Sequence, residues 1–334
     1  MTAMRSLLLG LVIAVPLVAQ HKTLDVYFID VEGGQATLIV TPAGGSMLID
    51  TGWPGYNGRD ADRIAAAMKK AGVSQLDEVL ITHYHMDHVG GVPQLATRVP
   101  IKEFVDHGPN NETDAQAKKL SEAYEKASAN AHHRVVKPGD TISLKGAEVK
   151  VVAANGDVIT QPLAGAGKAN ELCAKTQQKA PDPSENARSV GVLITFGKFR
   201  FIDLGDLTWN KELELACPAN KIGTVDLYLT THHGLDESGA NALVDALHPK
   251  VAIMNNGARK GGSPSAWKIV SASPGLQDLW QLHRALASPD TNVPEERIAN
   301  PGPDDPGNYI MVAAEQNGTF SVTNSRNGLT KQYR

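Results

Sequence analysis

Residues 80–91 are LITHYHMDHVGG, and they place three histidines and an aspartate within six positions, directly after an apolar run. Proteins bind zinc through imidazole nitrogen and carboxylate oxygen, usually in tetrahedral geometry. His83, His85, Asp87 and His88 are therefore candidate metal ligands. A compound His/Asp pattern of this density is specific, and it favours a metal site over a chance group of surface histidines.

The spacing of these four residues suits two ions rather than one. The apolar strand is predicted to end at Thr82, so His83 and His85 can point the same way in an extended turn and share one ion. Asp87 and His88 are adjacent and diverge by about a third of a turn at the start of a helix, which suits a second ion. Four ligands divided between two ions leave both sites incomplete.

Two later segments can complete these sites. FIDLGD ends in Asp206, whose carboxylate can bridge both ions. LTTHHG ends a strand with His232 and His233, either of which can complete the second ion. Six groups on two ions leave coordination positions open, and open positions distinguish catalytic zinc sites from structural ones.

The elements that must position these residues are strands followed by helices. Both halves of the chain place His or Asp directly after an apolar strand, at 77–82 and 224–234. The carboxyl ends of strands are where α/β proteins build sites, so one site assembled from both halves is expected. The pattern predicts two sheets packed together with helices outside. A helix is expected to begin at Asp60, and Asn317–Gly318 predicts the turn of a hairpin near the end of the chain.

The motif and its flanking stretches resemble one family. THYHMDHVGG is similar to the H-x-H-x-D-H signature of the metallo-β-lactamase superfamily. Over roughly residues 24–256, further stretches resemble the branch that includes the hydrolase domain of competence (DNA-uptake) proteins and phosphorylcholine esterase-like enzymes. These stretches are IDVEGGQATLI, LIDTG, NARSVGVLITFGKFRFIDLGD and DLYLTTHHG. The resemblance implies an αββα sandwich with a dinuclear metal site at one edge.

The resemblance also implies roles for single residues. His83 and His85 would hold one ion, Asp87 and His88 the other, and Asp206 would bridge them. His232 is preferred to His233 as the remaining ligand of the second ion.

The chain departs from the family pattern in two places. Many members carry a further histidine on the first ion, and His107 is the nearest candidate for it here. Leu235 stands where a serine often follows H-H-G, which weakens inference about the substrate. Asp50, at a strand end, either orients a metal-bound histidine or terminates the strand in an ordinary turn.

The predicted function is that of a dinuclear-metal hydrolase. Two divalent ions, zinc before others, would generate a metal-bound hydroxide that attacks phosphorus or a carbonyl carbon. Asp87 would orient this nucleophile. Phosphodiester substrates are favoured, with acyl substrates (β-lactam, lactone or thioester) as the alternative. A non-catalytic metal-binding module on the same fold is a rival from another class.

Composition and the first residues of the sequence indicate which partners and which cellular compartment to expect. The 334 residues carry a formal net charge of −4, which speaks against a dedicated nucleic-acid binder. Residues 1–19 have one positive charge and a short apolar core, which predicts a bacterial secretory signal, a periplasmic or secreted protein and no membrane span after cleavage.

Residues 20–334 are predicted to form one hydrolase domain with surface insertions near 108–133, 156–188 and 257–308. Cys173 and Cys217 either pair or remain buried thiols.

Overall fold

The computed structural model describes residues 23–302 and 306–334, so the predicted signal segment 1–19 lies outside the described residues. Within them the chain forms two nine-stranded sheets. The strands, in chain order, are β1 (Leu24–Phe28), β2 (Thr37–Val40), β3 (Ser46–Ile49), β4 (Leu76–Leu80), β5 (Ile101–Asp106), β6 (His132–Val135), β7 (Thr141–Leu144), β8 (Ala147–Ala154), β9 (Asp157–Val158), β10 (Gly191–Phe196), β11 (Phe199–Asp203), β12 (Leu227–Leu229), β13 (Val251–Met254), β14 (Asp278–His283), β15 (Ile298–Asn300), β16 (Ile310–Ala314), β17 (Phe320–Asn324) and β18 (Thr330–Tyr333).

Each sheet has an antiparallel part and a parallel part. The first sheet has the order β18-β17-β16-β1-β2-β3-β4-β5-β6 and is parallel from β3 to β6. The second has the order β15-β14-β13-β12-β11-β10-β8-β7, with β9 paired to β8, and is parallel from β11 to β15. The site-bearing segments follow β4, β11 and β12, which are strands of these parallel parts.

Seven α-helices cover the outer faces of the two sheets in the described part of the chain. They are α1 (Arg59–Lys70), α2 (Met86–Val89), α3 (Val92–Leu95), α4 (Ala115–Ser128), α5 (Trp209–Ala216), α6 (Asn241–Leu247) and α7 (Pro264–Ser271). Side chains of α1, α3 and α4 pack on the first sheet, and those of α5, α6 and α7 pack on the second.

A third apolar layer lies between the sheets, where Phe28 meets Phe201 edge-on with ring centroids 5.6 Å apart. The predicted αββα sandwich is thus confirmed.

Helix α4 shows how a polar segment is held in place. This helix lies within the surface insertion predicted near 108–133. The Asp114 side chain caps the helix by accepting from Gln116 N and Ala117 N, and the helix buries Ala117 and Tyr124 against the first sheet. The Tyr124 hydroxyl donates to the buried carboxylate of Asp106, 2.7 Å away. A single aromatic anchor with a polar tip therefore docks this helix.

The segment 257–308 differs from its prediction as a surface insertion. It contains β14 and β15, which are buried strands of the second sheet. Trp280 and Leu282 on β14 belong to the layer between the sheets. The hairpin predicted at Asn317–Gly318 is confirmed by the pairing of β16 with β17. No helix in the described ranges combines the length and the apolar character that a membrane crossing requires.

A disulfide joins the two cysteines that the sequence left open. Cys173 and Cys217 are bonded with their Cα atoms 5.7 Å apart and lie 44 positions apart in sequence. The bond fastens the segment 156–188 to the end of α5. Asn170 reinforces this attachment, since its Nδ2 donates to Ala216 O and Ala242 O.

We expect that replacing both cysteines by serine lowers the free energy of unfolding. The bond closes a loop in the unfolded chain and so lowers the entropy of that state. For a loop of this length the chain-entropy treatment gives a stabilisation of roughly 4 kcal/mol, and about 2–4 kcal/mol is typical of measured cases. Urea denaturation of the variant and of the wild type measures the difference. The same experiment under reducing conditions is the control, and a wild type that resists urea equally well when reduced would contradict the prediction.

Candidate metal centre

The carboxyl ends of β4, β11 and β12 bring the predicted residues together. Val190 N donates to Thr82 O over 2.8 Å, which ties the end of β4 in one sheet to the start of β10 in the other. Asp206 N donates to Ser189 Oγ over 3.2 Å. His232 N donates to Gly205 O over 3.0 Å. Main-chain bonds therefore fix the segments that carry the His/Asp groups.

Asp206 lies at the centre of the cluster and is 1% exposed. Its Oδ2 is 3.2 Å from His88 Nε2, 3.4 Å from His232 Nε2 and 3.9 Å from His83 Nε2. Its Oδ1 is 3.3 Å from His233 Nε2. One carboxylate thus faces four histidines from two different segments of the chain.

Four side chains form the tightest group. Asp87, His88, Asp206 and His233 each offer a ligand atom, and these atoms all lie within 4.8 Å of one another. His233 Nε2 is 3.3 Å from both Asp87 Oδ2 and His88 Nε2. The preference for His232 as the remaining ligand of the second ion stays a prediction, and of the two adjacent histidines it is His233 that lies in this group. Both residues have φ of 54°, a left-handed conformation that turns successive side chains in different directions.

The other predicted pair lies beside this group. His83 Nε2 is 3.0 Å from His85 Nδ1, and the His83 ring is 4.1 Å from the His88 ring, centroid to centroid. His83 is fully buried, whereas the side chain of His85 is 30% exposed. The cluster therefore has a closed side and a side open to solvent.

The histidine nitrogens that point away from the centre are held by other groups. Asp50 Oδ2 is 2.7 Å from His88 Nδ1, and the same carboxylate accepts from Thr82 N and Thr82 Oγ1 over 2.8 and 2.7 Å. Of the two interpretations of Asp50 that the sequence allowed, the contact supports the orientation of a histidine. Glu112 Oε1 is 3.2 Å from His85 Nε2. Fixing the outer nitrogen in this way directs the inner one, as in many metal sites.

The charges of the cluster oppose the effect of burial. Burial alone would raise the pKa of Asp206, but the neighbouring His233, His88 and His232 hold that pKa well below its usual value. Burial would likewise lower the pKa of His88, yet Asp206, Asp87 and Asp50 hold it well above its usual value. The pKa of His83 is lowered well below its usual value by burial and by the charge of His88. Positive charge on the neighbouring histidines therefore favours the ionised form of these carboxylates despite their burial.

His107 does not join the cluster. Its Nε2 is 2.9 Å from Glu185 Oε2, and its ring packs on Tyr84. Glu185 also accepts from Asn111 N over 2.8 Å and from Tyr84 N over 3.3 Å. The pair holds the segment after β5 in place, so His107 is not available to the His/Asp cluster.

Two glycine pairs allow the main chain to approach the site. A Cβ on Gly91 would lie 2.0 Å from Thr51 O, and one on Gly34 would lie 2.5 Å from Asp87 O. Gly34 precedes Gln35, whose N donates to that same Asp87 carbonyl over 3.1 Å. The Gly33–Gly34 and Gly90–Gly91 pairs therefore serve close packing around the metal-binding loop.

Sequence reasoning missed several residues that touch the cluster or support it. Lys260 Nζ contacts Asp87 Oδ2 although the two residues lie 173 positions apart. Gln35 Nε2 donates to Asp203 Oδ2 over 2.8 Å, and burial raises the pKa of Asp203 to about 7. Glu112 is the third such residue. Glu112 lies in a polar loop and Lys260 follows β13, and no local sequence pattern distinguishes either of them from an ordinary surface residue.

Glu212 supports the segment that follows His233 and gives a test of pH dependence. It is fully buried on α5, and its Oε2 accepts from Ala240 N over 2.8 Å. Burial raises the pKa of Glu212 from 4.5 to about 7, although the Ala240 bond opposes the shift. The folded chain therefore holds a proton that the unfolded chain releases between these two values. Stability must fall as pH rises through this window, and this contribution is constant above it.

We expect Glu212→Gln to flatten the pH dependence of unfolding. One proton contributes a slope of up to about 1.4 kcal/mol per pH unit. Urea titrations at pH 5, 6, 7 and 8 give the slope for wild type and variant. Glu214→Gln alters an exposed residue of the same helix and is the matched control. Parallel curves for wild type and Glu212→Gln would refute the assignment.

Comparison with known proteins supports the family resemblance. The sequence profile of the metallo-β-lactamase superfamily matches residues 29–157, the range that holds the whole 83–88 motif. The predicted resemblance to this superfamily is thus confirmed over that part of the chain. The two-sheet sandwich and the His/Asp cluster agree with the metal-dependent hydrolase that the resemblance predicts.

Two curated proteins are similar to parts of the chain. ComE operon protein 3 of Bacillus subtilis (strain 168) is 25% identical over 247 residues, covering 70% of this chain and 28% of that protein. Hydroxyacylglutathione hydrolase of Aliivibrio salmonicida (strain LFI1238) is 45% identical over 53 residues, covering 16% of this chain and 20% of that enzyme. The chain thus spans less than a third of the length of either relative.

Solved structures show more distant similarity. A HARLDQ-motif mutant of a metallo-β-lactamase from Cronobacter sakazakii has a TM-score of 0.39 and 14% identity, covering 61% of this chain and 75% of that chain. CmlA, a diiron β-hydroxylase from Streptomyces venezuelae, has a TM-score of 0.39 and 18% identity, covering 69% of this chain and 44% of that chain. The family assignment depends on the profile match and on the motif.

Proposed function

We propose that the protein is an exported dinuclear-metal hydrolase that acts on phosphodiesters. The observation that carries the proposal is Asp206, a buried carboxylate with His88, His232 and His233 within 3.4 Å. Burying a carboxylate among imidazoles is costly unless cations compensate it. A centre of two divalent ions accounts for this arrangement.

The donor set fits two divalent ions. Asp206 Oδ1 is buried and, although His233 is near, accepts no hydrogen bond of good geometry from the residues that the structure describes. Nitrogen and carboxylate donors of this kind suit zinc. His83 and His85 would hold the first ion, Asp87, His88 and His233 the second, and Asp206 both.

We assign His232 to the first ion. The group of Asp87, His88, Asp206 and His233 does not include it, and its Nε2 lies 3.4 Å from Oδ2 of Asp206, the carboxylate proposed for both ions. His232 takes the place that the sequence gave to His107.

Each residue of the proposed centre has its own role in hydrolysis. When bound, divalent ions supply Lewis acidity and make water nucleophilic near neutral pH. Asp87 is slightly more exposed than Asp206, at 6% against 1%. We assign to its carboxylate the orientation of the attacking water and the acceptance of its proton. Asp50 and Glu112 keep His88 and His85 in the orientation that the centre requires.

Two observations bear on the substrate. The resemblance over residues 24–256 to a branch with phosphorylcholine esterase-like members favours a phosphodiester, and the similarity to ComE operon protein 3 supports that branch. The short match to hydroxyacylglutathione hydrolase favours an acyl substrate. We place the phosphodiester first because the resemblance that supports it covers far more of the chain.

Export is part of the proposal. Residues 1–19 have the pattern of a secretory signal. The Cys173–Cys217 bond supports this assignment, because disulfides persist in oxidising compartments such as the periplasm.

A pair of substrates tests the function. The purified protein, loaded with zinc or manganese, is assayed on a chromogenic phosphodiester and on a chromogenic β-lactam. Phosphodiester turnover is expected, and Asp87→Ala should abolish it. Asp157→Ala, which alters an exposed aspartate of β9, is the matched control. β-Lactam turnover would favour the acyl alternative, and full metal content without turnover of either substrate would favour a non-catalytic module.

A further inference from the structure

Lys260 reaches the metal centre from a loop that supplies no candidate ligand. Its Nζ contacts Asp87 Oδ2 and lies 5.2 Å from the centre of the Trp53 ring. The Lys260 side chain is 29% exposed, whereas that of Asp87 is 8% exposed. The ammonium group therefore sits at the boundary between the buried cluster and solvent, with an indole beside it.

Main-chain contacts fix the position of this lysine. Gly257 N donates to Lys260 O over 2.8 Å and closes the loop, and Gly262 N donates to His233 O over 3.0 Å. A Cβ on Gly33 would lie 2.9 Å from Lys260 Cβ. The loop is thus packed between the segment after β1 and the candidate ligand His233. Lys260 is positioned by the fold and is not a freely moving surface lysine.

A metal ion held by Asp87 would compete with Lys260 for the same carboxylate. Asp87 is the carboxylate that Nζ contacts in the described chain. A divalent cation there would repel the ammonium group. Lys260 would then need another anionic partner, and its exposed side is where a substrate can approach.

We propose that Lys260 and Trp53 form an anion subsite for the substrate. The ammonium group binds a charged oxygen of the substrate, and the indole packs against the organic substituent of that group. An organic phosphodiester fits this subsite, because its non-bridging oxygen carries the negative charge and its ester group supplies the apolar surface. The inference rests on the proposed function, since it requires a metal ion on Asp87.

Binding of inorganic phosphate tests the subsite without turnover. Calorimetric titration of the metal-loaded protein with phosphate is expected to show binding that Lys260→Gln weakens by roughly tenfold or more, the equivalent of about 1.4 kcal/mol. Lys260→Arg should retain most of the affinity. Lys268→Gln changes an exposed lysine of α7 and should have no effect. Metal content, measured by mass spectrometry, should be equal in all four proteins.

A second ligand separates the roles of the two residues. Trp53→Ala should weaken diphenyl phosphate more than inorganic phosphate, because only the former offers apolar surface to the indole. Equal phosphate affinity in Lys260→Gln and Lys268→Gln, with metal bound, would overturn the subsite even if a phosphodiester is hydrolysed. Phosphate binding that depends on Lys260 would support it even if no tested ester turns over. A protein that binds no metal would overturn both proposals.

Discussion

Asp206→Asn is expected to lower kcat/KM for the hydrolysed substrate by roughly a thousandfold or more, the equivalent of about 4 kcal/mol of transition-state stabilisation. The reason is geometric, since both oxygens of Asp206 face histidines of the proposed centre. Asparagine keeps the shape but offers one neutral oxygen, so it cannot serve two cations. The bound metal, measured by mass spectrometry after dialysis, should fall from about two ions per chain to one or fewer.

A matched control separates this effect from a general effect of removing an aspartate. Asp245 lies on α6, partly exposed and away from the cluster, so Asp245→Asn should leave metal content and kcat/KM unchanged. Circular dichroism verifies that both variants are folded. If Asp206→Asn retains two ions and full activity, the bridging role is wrong, and the buried carboxylate serves the fold alone.

The clustering of the candidate ligands that are local in sequence could be predicted, because the strand before them sets their direction. His83, His85, Asp87 and His88 follow β4 within six positions, and the structure brings all four to one cluster. The choice between His232 and His233 could not be made in this way. It depends on two successive left-handed residues, a conformation that no sequence pattern of non-glycine residues indicates.

Contacts across long separations explain the other omissions at the site. Lys260 reaches Asp87 across 173 positions, and Gln35 reaches Asp203 across 168. Their proximity arises from the packing of one sheet on the other. Asp50 could be suggested from its place at a strand end, but its partner His88 could be identified only in the folded chain.

Polar residues within buried strands explain the main error in the fold. Strand β14 carries Gln281 and His283, which are almost fully buried, and β15 ends in buried Asn300. Such residues break the apolar pattern by which a strand is predicted. In the folded chain their partners are specific: His283 Nε2 is 2.7 Å from Asp30 Oδ1, and Gln281 Oε1 accepts from Val293 N over 2.6 Å. The polar side chains that interrupt the apolar pattern therefore also hold these strands in place through specific contacts.

His233→Ala is expected to remove the second ion and leave the first. His233 Nε2 lies within 3.3 Å of Asp87, His88 and Asp206, so its loss opens one side of that group. Metal content should fall from about two ions per chain to about one. Turnover should fall at least a hundredfold, because losing a ligand costs no less than losing a group that orients one.

Added substitutions identify which ion remains. In the His233→Ala background, His85→Ala should remove the remaining ion, whereas His88→Ala should change the metal content little. His232→Ala, one position away and with the same loss of an imidazole, should give the reverse dependence. Its remaining ion should require His88 and not His85, since His232 lies outside the group of Asp87, His88, Asp206 and His233 that we assign to the second ion. If His232→Ala and His233→Ala leave the same ion behind, the two adjacent histidines serve one site, and the first ion must be held without either.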